Sequence, residues 1–169
     1  GNVAIALLVD GGVHSEEMLS IGEPVDASTI FQMASVSKWV TSWGVMALVE
    51  RGAIDLDTPV SRYLTRWDLP ESEFDNDAVT VRRLLSHTAG LTDGLGYLGF
   101  GPGQEVQGLV ESLSDTGDPV EGASGRVRVG QKPGSQWMYS GGGYTILQLL
   151  IEEVSGEPFS RFMQRTVLD

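Results

Sequence analysis

The sequence predicts an α+β fold, in which an N-terminal β-hairpin of an antiparallel sheet precedes a mainly helical region. Residues 3–9 form an unbroken apolar run closed by a Gly-rich turn, whereas from residue 35 onward apolar residues recur at helical spacing. The 169 residues, 41% of them hydrophobic, suffice for one ordinary domain with a core. We therefore expect a single domain over residues 1–169, with the hairpin and a linker in residues 1–30 and the helical part in residues 31–169.

The hairpin prediction depends on residues 3–9 and the turn that follows them. A short apolar run with β-branched side chains is typical of a strand that is buried on both faces. Asp10-Gly11-Gly12 follows the run and favours a tight turn. Residues 13–19 are therefore expected to return as the antiparallel partner.

Two helices are predicted in the first half of the helical part. One runs from Ser35 to about Glu50 and ends at Arg51-Gly52, where glycine can adopt the left-handed cap. Its apolar residues cover most of the circumference, so we expect this helix to be largely buried. A shorter helix over residues 81–85 has Thr80 in position to cap its N-terminus.

Two further helices and a long loop complete the prediction. A helix over about residues 144–154 should end at Ser155-Gly156, and the last helix should open at Glu157-Pro158. Residues 91–134 are rich in Gly, Ser, Asp and Pro and show little periodicity. A loop of that length indicates a functional lid, a binding loop or a mobile segment.

Composition excludes several classes of function. Eleven Lys and Arg residues against 23 Asp and Glu residues give a net charge of -12, which disfavours binding to nucleic acid or to an anionic membrane. The absence of cysteine excludes disulfide scaffolds, cysteine zinc sites and thiol nucleophiles, and it fits any cellular compartment. No apolar run approaches the roughly 18 residues of a membrane span, and the first residues lack the basic region of a signal peptide.

Ser35 and Lys38 form the first candidate catalytic pair. Residues three apart lie on one face of a helix, so the amine can reach the hydroxyl. Apolar neighbours favour the neutral form of a lysine, which can accept the proton of a serine nucleophile. The alternative is that Ser35, Lys38 and Ser42 are only the polar stripe of an amphipathic helix.

Tyr139, followed by Ser140 and three glycines, is the second candidate. A tyrosine held next to a cation can shuttle a proton, and successive glycines allow a close backbone approach. The alternative is an aromatic residue that packs a loop beside Trp137 and Tyr144.

His87 is a third candidate, either as a general base or as part of a structural corner. The corner interpretation is favoured, because Ser86, His87 and Thr88 can hold a helix-to-turn junction by side-chain hydrogen bonds. His14 is the only other histidine, and no metal-ligand spacing occurs. We expect neither a metal nor another cofactor.

Five ordered segments extend these observations over the whole chain. They are residues 31–38 (FQMASVSK), 48–52 (LVERG), 56–60 (LDTPV), 84–91 (LLSHTAGL) and 139–144 (YSGGGY). In this order they resemble the serine β-lactamase and penicillin-binding-protein-like hydrolases, particularly the branch of class C β-lactamases, D-alanyl-D-alanine carboxypeptidases and related esterases. The resemblance implies a β-lactamase/transpeptidase-like fold, and proteins of this family are often periplasmic or secreted.

The resemblance also implies roles for individual residues. Ser35 matches the nucleophile that accepts the acyl group, Lys38 the residue that removes its proton, and Tyr139 the tyrosine that acts as base or relays a proton to the leaving group. The Ser35 backbone N–H would form half of the oxyanion hole. The expected substrate is a small acyl compound with an ester, amide or β-lactam carbonyl.

Two departures from the family pattern modify these expectations. Gly141 stands where the family places a substrate-binding asparagine that helps orient an amide, which favours an esterase over a β-lactamase or carboxypeptidase. The C-terminal strands of the family's sheet are expected to be missing, so the chain would be an incomplete domain that needs a further segment or a second chain to complete the sheet. As a lone chain it is expected to be poorly active or inactive. A non-catalytic ligand-binding homologue is the alternative of a different class.

Overall fold

The computed structural model describes residues 1–93, 103, 105–114 and 126–169. The chain divides into two compact units, Gly1–Ser35 and Val36–Asp169. The first contains the β-hairpin, and the second contains the helices and the hydrophobic core.

The first unit confirms the predicted hairpin. Strand β1, Asn2–Val9, pairs antiparallel with β2, Gly12–Ser20, and the register shifts after Leu7. Asp10 and Gly11 have positive φ values of 51° and 79°, which suits a tight hairpin turn. The expectation that β1 is buried on both faces is wrong, since all eight of its residues are exposed. An apolar strand is buried only where another layer covers it, and the sheet of this unit has two strands.

The second unit contains five α-helices among the described residues. They are α1 (Ser37–Glu50), α2 (Val81–Leu85), α3 (Leu109–Ser114), α4 (Gly141–Ser155) and α5 (Phe159–Met163). Short 3-10 turns occur at Val60–Arg62 and Asn76–Ala78, and a π-helical turn at Gln164–Leu168 follows α5. Another 3-10 turn, Ala34–Val36, includes the last two residues of the first unit and the first residue of the second. None of the described helices is long and apolar enough to cross a bilayer.

Helix α1 differs from the prediction at its start and in its burial. It begins at Ser37, because residues 34–36 form a 3-10 turn. It ends as predicted at Glu50, with Arg51 as its C-cap and Gly52 following with a φ of 68°. Only one face is buried, the face that carries Thr41, Gly44, Val45 and Leu48. Trp39 and Trp43 are 72% and 63% exposed, so the expectation of a largely buried helix is wrong. Apolar composition around a helix does not specify which faces have a packing partner.

Helix α4 forms the centre of the core. Five of its side chains are fully buried: Ile146, Leu147, Leu149, Leu150 and Ile151. The helix ends at Gly156 with a φ of 69°, as predicted, but begins three residues earlier than expected. Ser140 caps it by accepting a hydrogen bond from the Gly143 N–H, so the three glycines form its first turn. This early start places Tyr139 directly before the N-terminal cap.

The other helix predictions are confirmed. Helix α2 covers residues 81–85, and the Thr80 side chain accepts from the Arg83 N–H at its N-terminus. Helix α5 begins immediately after Pro158. In the predicted loop over residues 91–134, α3 is one described element, and a bridge pairs Leu91 with Val129. Residues 94–102, 104 and 115–125 of that loop lie outside the described residues.

An ionic network ties the middle of the chain to α4. Arg66 Nε and Nη2 contact Glu153 and Glu152, each at 2.7 Å, and the Thr65 hydroxyl donates to Glu153. Burial raises the pKa of Glu153, but the hydrogen bonds from Thr65 and Arg66 together outweigh it, so that pKa lies below its ordinary value. The network therefore favours the ionised carboxylate.

Candidate active site

Ser35 lies in the 3-10 turn Ala34–Val36, two residues before α1, and its side chain is exposed. The residue before it, Ala34, has a φ of 44°, in the left-handed region that non-glycine residues rarely adopt. Such strain persists only where the surrounding structure imposes it, and it is often found at functional sites. The backbone is therefore strained at Ala34, immediately before the predicted nucleophile.

Lys38 is the second residue of α1 and is partly buried. Its Nζ lies 5.0 Å from the centre of the Tyr139 ring and 5.6 Å from the centre of the Tyr144 ring. Both distances are within the range at which an ammonium group is attracted to an aromatic face. The structure thus brings together two of the predicted catalytic residues, Lys38 and Tyr139.

Tyr144 is held by its hydroxyl group. The hydroxyl donates to the Leu85 carbonyl at 3.1 Å and lies 3.2 Å from Ser42 Oγ. Ser42 is one helical turn after Lys38 and donates to the Lys38 carbonyl at 2.8 Å. Tyr144 is only 8% exposed. Its hydroxyl contacts therefore hold a buried aromatic ring in place beside Lys38.

His87 is in ring contact with both tyrosines. Its centroid is 4.6 Å from that of Tyr139 and 5.3 Å from that of Tyr144, and the Trp137 ring is edge-on at 6.0 Å. The His87 Nδ1 accepts a hydrogen bond from the Ser140 N–H at 3.2 Å. Burial lowers the pKa of His87 from its ordinary value, and the positive charge of Lys38 lowers it further. An uncharged imidazole is therefore favoured.

The interpretation of residues 86–88 as a structural corner agrees with their hydrogen bonds. Ser86 Oγ donates to the Arg82 carbonyl at 2.9 Å and lies 2.8 Å from Thr88 Oγ1. His87 has a positive φ of 57°, and its carbonyl accepts from the Met138 N–H at 2.8 Å. The corner therefore joins the chain after α2 to the segment that carries Tyr139.

Asp93 is a residue that sequence reasoning missed. Its carboxylate is fully buried and accepts from Ser140 Oγ at 2.5 Å and from the Gly142 N–H at 2.8 Å. Burial raises the pKa of Asp93, and the hydrogen bonds from Ser140 and from the Gly142 and Gly141 N–H groups oppose that rise. Asp93 thus holds the start of α4, directly after Tyr139.

Two glycines at the start of α4 differ in their surroundings. A Cβ at Gly142 would overlap Val127 Cγ2 and lie 3.1 Å from Asp93 Oδ2, so only glycine fits there. Gly141, the residue predicted to affect substrate binding, is the first residue of α4.

Over the described parts of the chain, no group of three or more His, Asp or Glu side chains is arranged to hold a metal ion.

Ser42 and Asp93 differ in how strongly the sequence points to them. Ser42 lies four residues after Lys38, so helical periodicity alone places the two on one face. Asp93 is separated by 47 residues from its partner Ser140, and no local pattern joins them. Only the folded chain reveals that contact.

Comparison with known proteins identifies the family. A sequence profile of the family described as Beta-lactamase matches residues 1–169. The chain is 32% identical over 161 residues to Penicillin-binding protein 4 of Amycolatopsis lactamdurans, which covers 91% of this chain and 38% of that protein. It is 30% identical over 145 residues to Esterase EstB of Burkholderia gladioli, covering 82% of this chain and 36% of the esterase.

Solved structures show the same relationship. The octameric penicillin-binding protein homologue from Pyrococcus abyssi matches with a TM-score of 0.76 and 27% identity, over 99% of this chain and 38% of that one. The predicted β-lactamase/transpeptidase-like fold is thereby confirmed. The chain spans little more than a third of the length of these relatives. By the match of the family profile over its full length, this chain belongs to the Beta-lactamase family.

Proposed function

We propose that the protein is a serine hydrolase that acts through an acyl-enzyme on an ester, amide or β-lactam carbonyl. The observation that carries this proposal is the position of the Lys38 ammonium group over the Tyr139 ring, at 5.0 Å from its centre. A positive charge beside a tyrosine favours negative charge developing on its phenol oxygen, which a proton relay requires.

Ser35 is the proposed nucleophile. It lies three residues before Lys38 along the chain, next to a strained backbone position and before the N-terminus of a 14-residue helix. The positive end of a helix dipole favours negative charge that develops on a nearby oxygen. In its neutral form the Lys38 amine accepts the hydroxyl proton as the Ser35 oxygen attacks the carbonyl carbon. The positively charged ammonium group that results then lies over the Tyr139 ring, from where a proton passes to the leaving group through Tyr139.

The proposed reaction has two steps. In the first, the Ser35 oxygen bonds to the acyl carbon, the bond to the leaving group breaks, and Tyr139 relays a proton to that group. In the second, a water molecule attacks the acyl-serine ester, releases the acid and returns the proton to Ser35. The backbone N–H of Ser35 supplies one donor for the negatively charged oxygen of each tetrahedral intermediate.

An ester is the proposed preferred substrate. Gly141 has no side chain to orient a substrate amide, and an ester makes no use of such an interaction. The similarity to a protein named Esterase EstB is in accord with this preference.

The nucleophile is tested by covalent labelling of the full-length protein with a fluorophosphonate probe. Ser35→Ala is expected to abolish labelling. Ser37→Ala is the matched control, because Ser37 is the neighbouring serine and the first residue of α1, and it is expected to retain labelling. Undiminished labelling of Ser35→Ala would end the proposal for Ser35.

The substrate preference is tested by comparing p-nitrophenyl esters with nitrocefin. We expect ester hydrolysis to exceed nitrocefin hydrolysis. Prompt turnover of nitrocefin would contradict the role given to Gly141. Ligand binding without turnover of either substrate would instead indicate a non-catalytic homologue.

A further inference from the structure

The His87 ring contacts the two tyrosine rings that lie beside the Lys38 ammonium group, Tyr139 and Tyr144. It lies 4.6 Å from the Tyr139 ring with a 32° tilt, and 5.3 Å from the Tyr144 ring. Its backbone carbonyl accepts from the Met138 N–H, and its Nδ1 accepts from the Ser140 N–H. The residues immediately before and after Tyr139 are therefore both bonded to His87.

The hydrogen bond from Ser140 requires an uncharged imidazole. A neutral imidazole has one acceptor nitrogen, whereas a protonated one carries a hydrogen on both nitrogens and accepts nothing. Because Nδ1 accepts, the single hydrogen of the neutral ring is on Nε2. Protonation of Nδ1 would remove the bond to the Ser140 N–H and set two N–H groups against each other.

We propose that His87 is a positioning residue that orients the Tyr139 ring over Lys38 through an uncharged ring, and that protonation of His87 releases this orientation. The effect on catalysis rests on the proposed function, in which Tyr139 relays a proton. The contact between the His87 and Tyr139 rings does not depend on that role.

The charges around His87 support an uncharged ring. Lys38 on α1 contributes a positive charge, which opposes a second positive charge on His87. Among the residues that the structure describes, the other titratable groups in ring contact with His87 are Tyr139 and Tyr144. The Asp93 carboxylate is bonded to Ser140, on the far side of the hydrogen bond to Nδ1. Activity is therefore expected to fall at acid pH as His87 becomes protonated.

Nuclear magnetic resonance tests the coupling without using activity. The imidazole signals of His87 are assigned as those that are present in the wild-type spectrum and absent from the spectrum of His87→Asn. In the wild-type protein with labelled tyrosine, the Tyr139 ring signals, assigned by Tyr139→Phe, are expected to shift with the midpoint of the His87 titration. Tyr139 ring signals that do not change over the pH range in which His87 titrates would overturn the inference.

Kinetics test the consequence for the reaction. His87→Asn suits the experiment because asparagine tolerates a positive φ and its Oδ1 can accept from the Ser140 N–H. His87→Ala, which lacks both ring and acceptor, is expected to lower kcat about 100-fold with little change in KM, the scale of loss that misplacement of a catalytic group produces. His87→Asn is expected to lower kcat less than His87→Ala does. It is also expected to lack the acid limb of the pH profile, which is the fall in kcat at acid pH caused by protonation of His87. His14→Asn, which alters an exposed residue of β2, is the control and should change neither quantity.

The outcomes separate this inference from the proposed function. If His87→Asn keeps the wild-type kcat and the same acid limb, the positioning role is wrong even when Ser35 is labelled. If Tyr139 follows the His87 titration but Ser35→Ala retains labelling, the positioning is correct and the assignment of the nucleophile is wrong.

Discussion

Replacement of Asp93 by alanine is predicted to lower the free energy of unfolding by about 2–3 kcal/mol. The variant leaves two buried donors, Ser140 Oγ and the Gly142 N–H, without the carboxylate that now accepts from them. Each buried donor without a partner costs about 1–3 kcal/mol, which gives about 2–6 kcal/mol for the pair. Removal of the buried charge offsets part of this cost, so the lower end of the range is expected.

Urea unfolding followed by tryptophan fluorescence measures this change, with the slope m compared between variants. For a chain of this size, each kcal/mol lowers Tm by about 2–4 °C, so a fall of about 4–12 °C is expected. The control is Asp68→Ala, because Asp68 is exposed, and exposed substitutions typically change stability by less than about 0.5 kcal/mol. Equal stabilities of Asp93→Ala and Asp68→Ala would refute the reasoning.

Comparison of the wild-type protein with Asp93→Asn tests how the contribution of Asp93 to the free energy of unfolding depends on pH. Burial raises the pKa of Asp93, so the native state holds this proton more tightly than the unfolded chain does. The resulting stabilisation is fully present below the pKa of the unfolded chain and is lost as pH rises through the native pKa. The uncharged asparagine does not titrate, so the wild-type protein should lose stability relative to Asp93→Asn as pH rises through this window. A wild-type protein that gains relative stability there would refute the assigned direction.

Three further substitutions test other contacts. Gly142→Ala should lower the free energy of unfolding by about 1–3 kcal/mol, because the added methyl group overlaps Val127. The control Gly108→Ala places its methyl group in open space and should change the free energy of unfolding little. Equal thermal midpoints of the two variants would contradict this. Tyr144→Phe keeps the ring beside the lysine but removes the buried hydroxyl, so a loss of about 1 kcal/mol is expected in urea unfolding, and a more stable variant would argue against the hydroxyl contacts. Glu153→Gln should destabilise the protein at neutral pH. Because the native pKa of Glu153 is lowered, its stabilising contribution is present above the pKa of the unfolded chain and is lost as pH falls through the native pKa, so a difference that persists in acid would contradict the assignment.

Features that depend on local chemistry could be predicted from the sequence. The hairpin turn at Asp10-Gly11, the Thr80 cap and the left-handed Gly156 each depend on residues within a few positions of one another. The start of α4 is an instructive exception. Three glycines are poor helix formers, but the Ser140 cap and the Asp93 carboxylate bind the N–H groups of this first turn.

Features that depend on distant partners could not be predicted in the same way. The apolar run of β1 and the tryptophans Trp39 and Trp43 suggested burial, yet burial requires a neighbouring element to cover them. No periodicity links α1 to the loop before α4, so no local pattern predicts that Lys38 contacts Tyr139. Only the ordered motifs that resemble the family assigned both residues to one site. The buried acceptor Asp93 had no such motif and was missed.

The location of the acyl group on the protein tests the central claim most directly. The full-length protein is incubated with a penicillin or fluorophosphonate probe, digested and examined by tandem mass spectrometry. We predict one adduct, on the Ser35 hydroxyl, and its loss in Lys38→Met, where no amine remains to take the proton. An adduct on another residue, or undiminished modification of Ser35 in Lys38→Met, would contradict the Ser35–Lys38 mechanism.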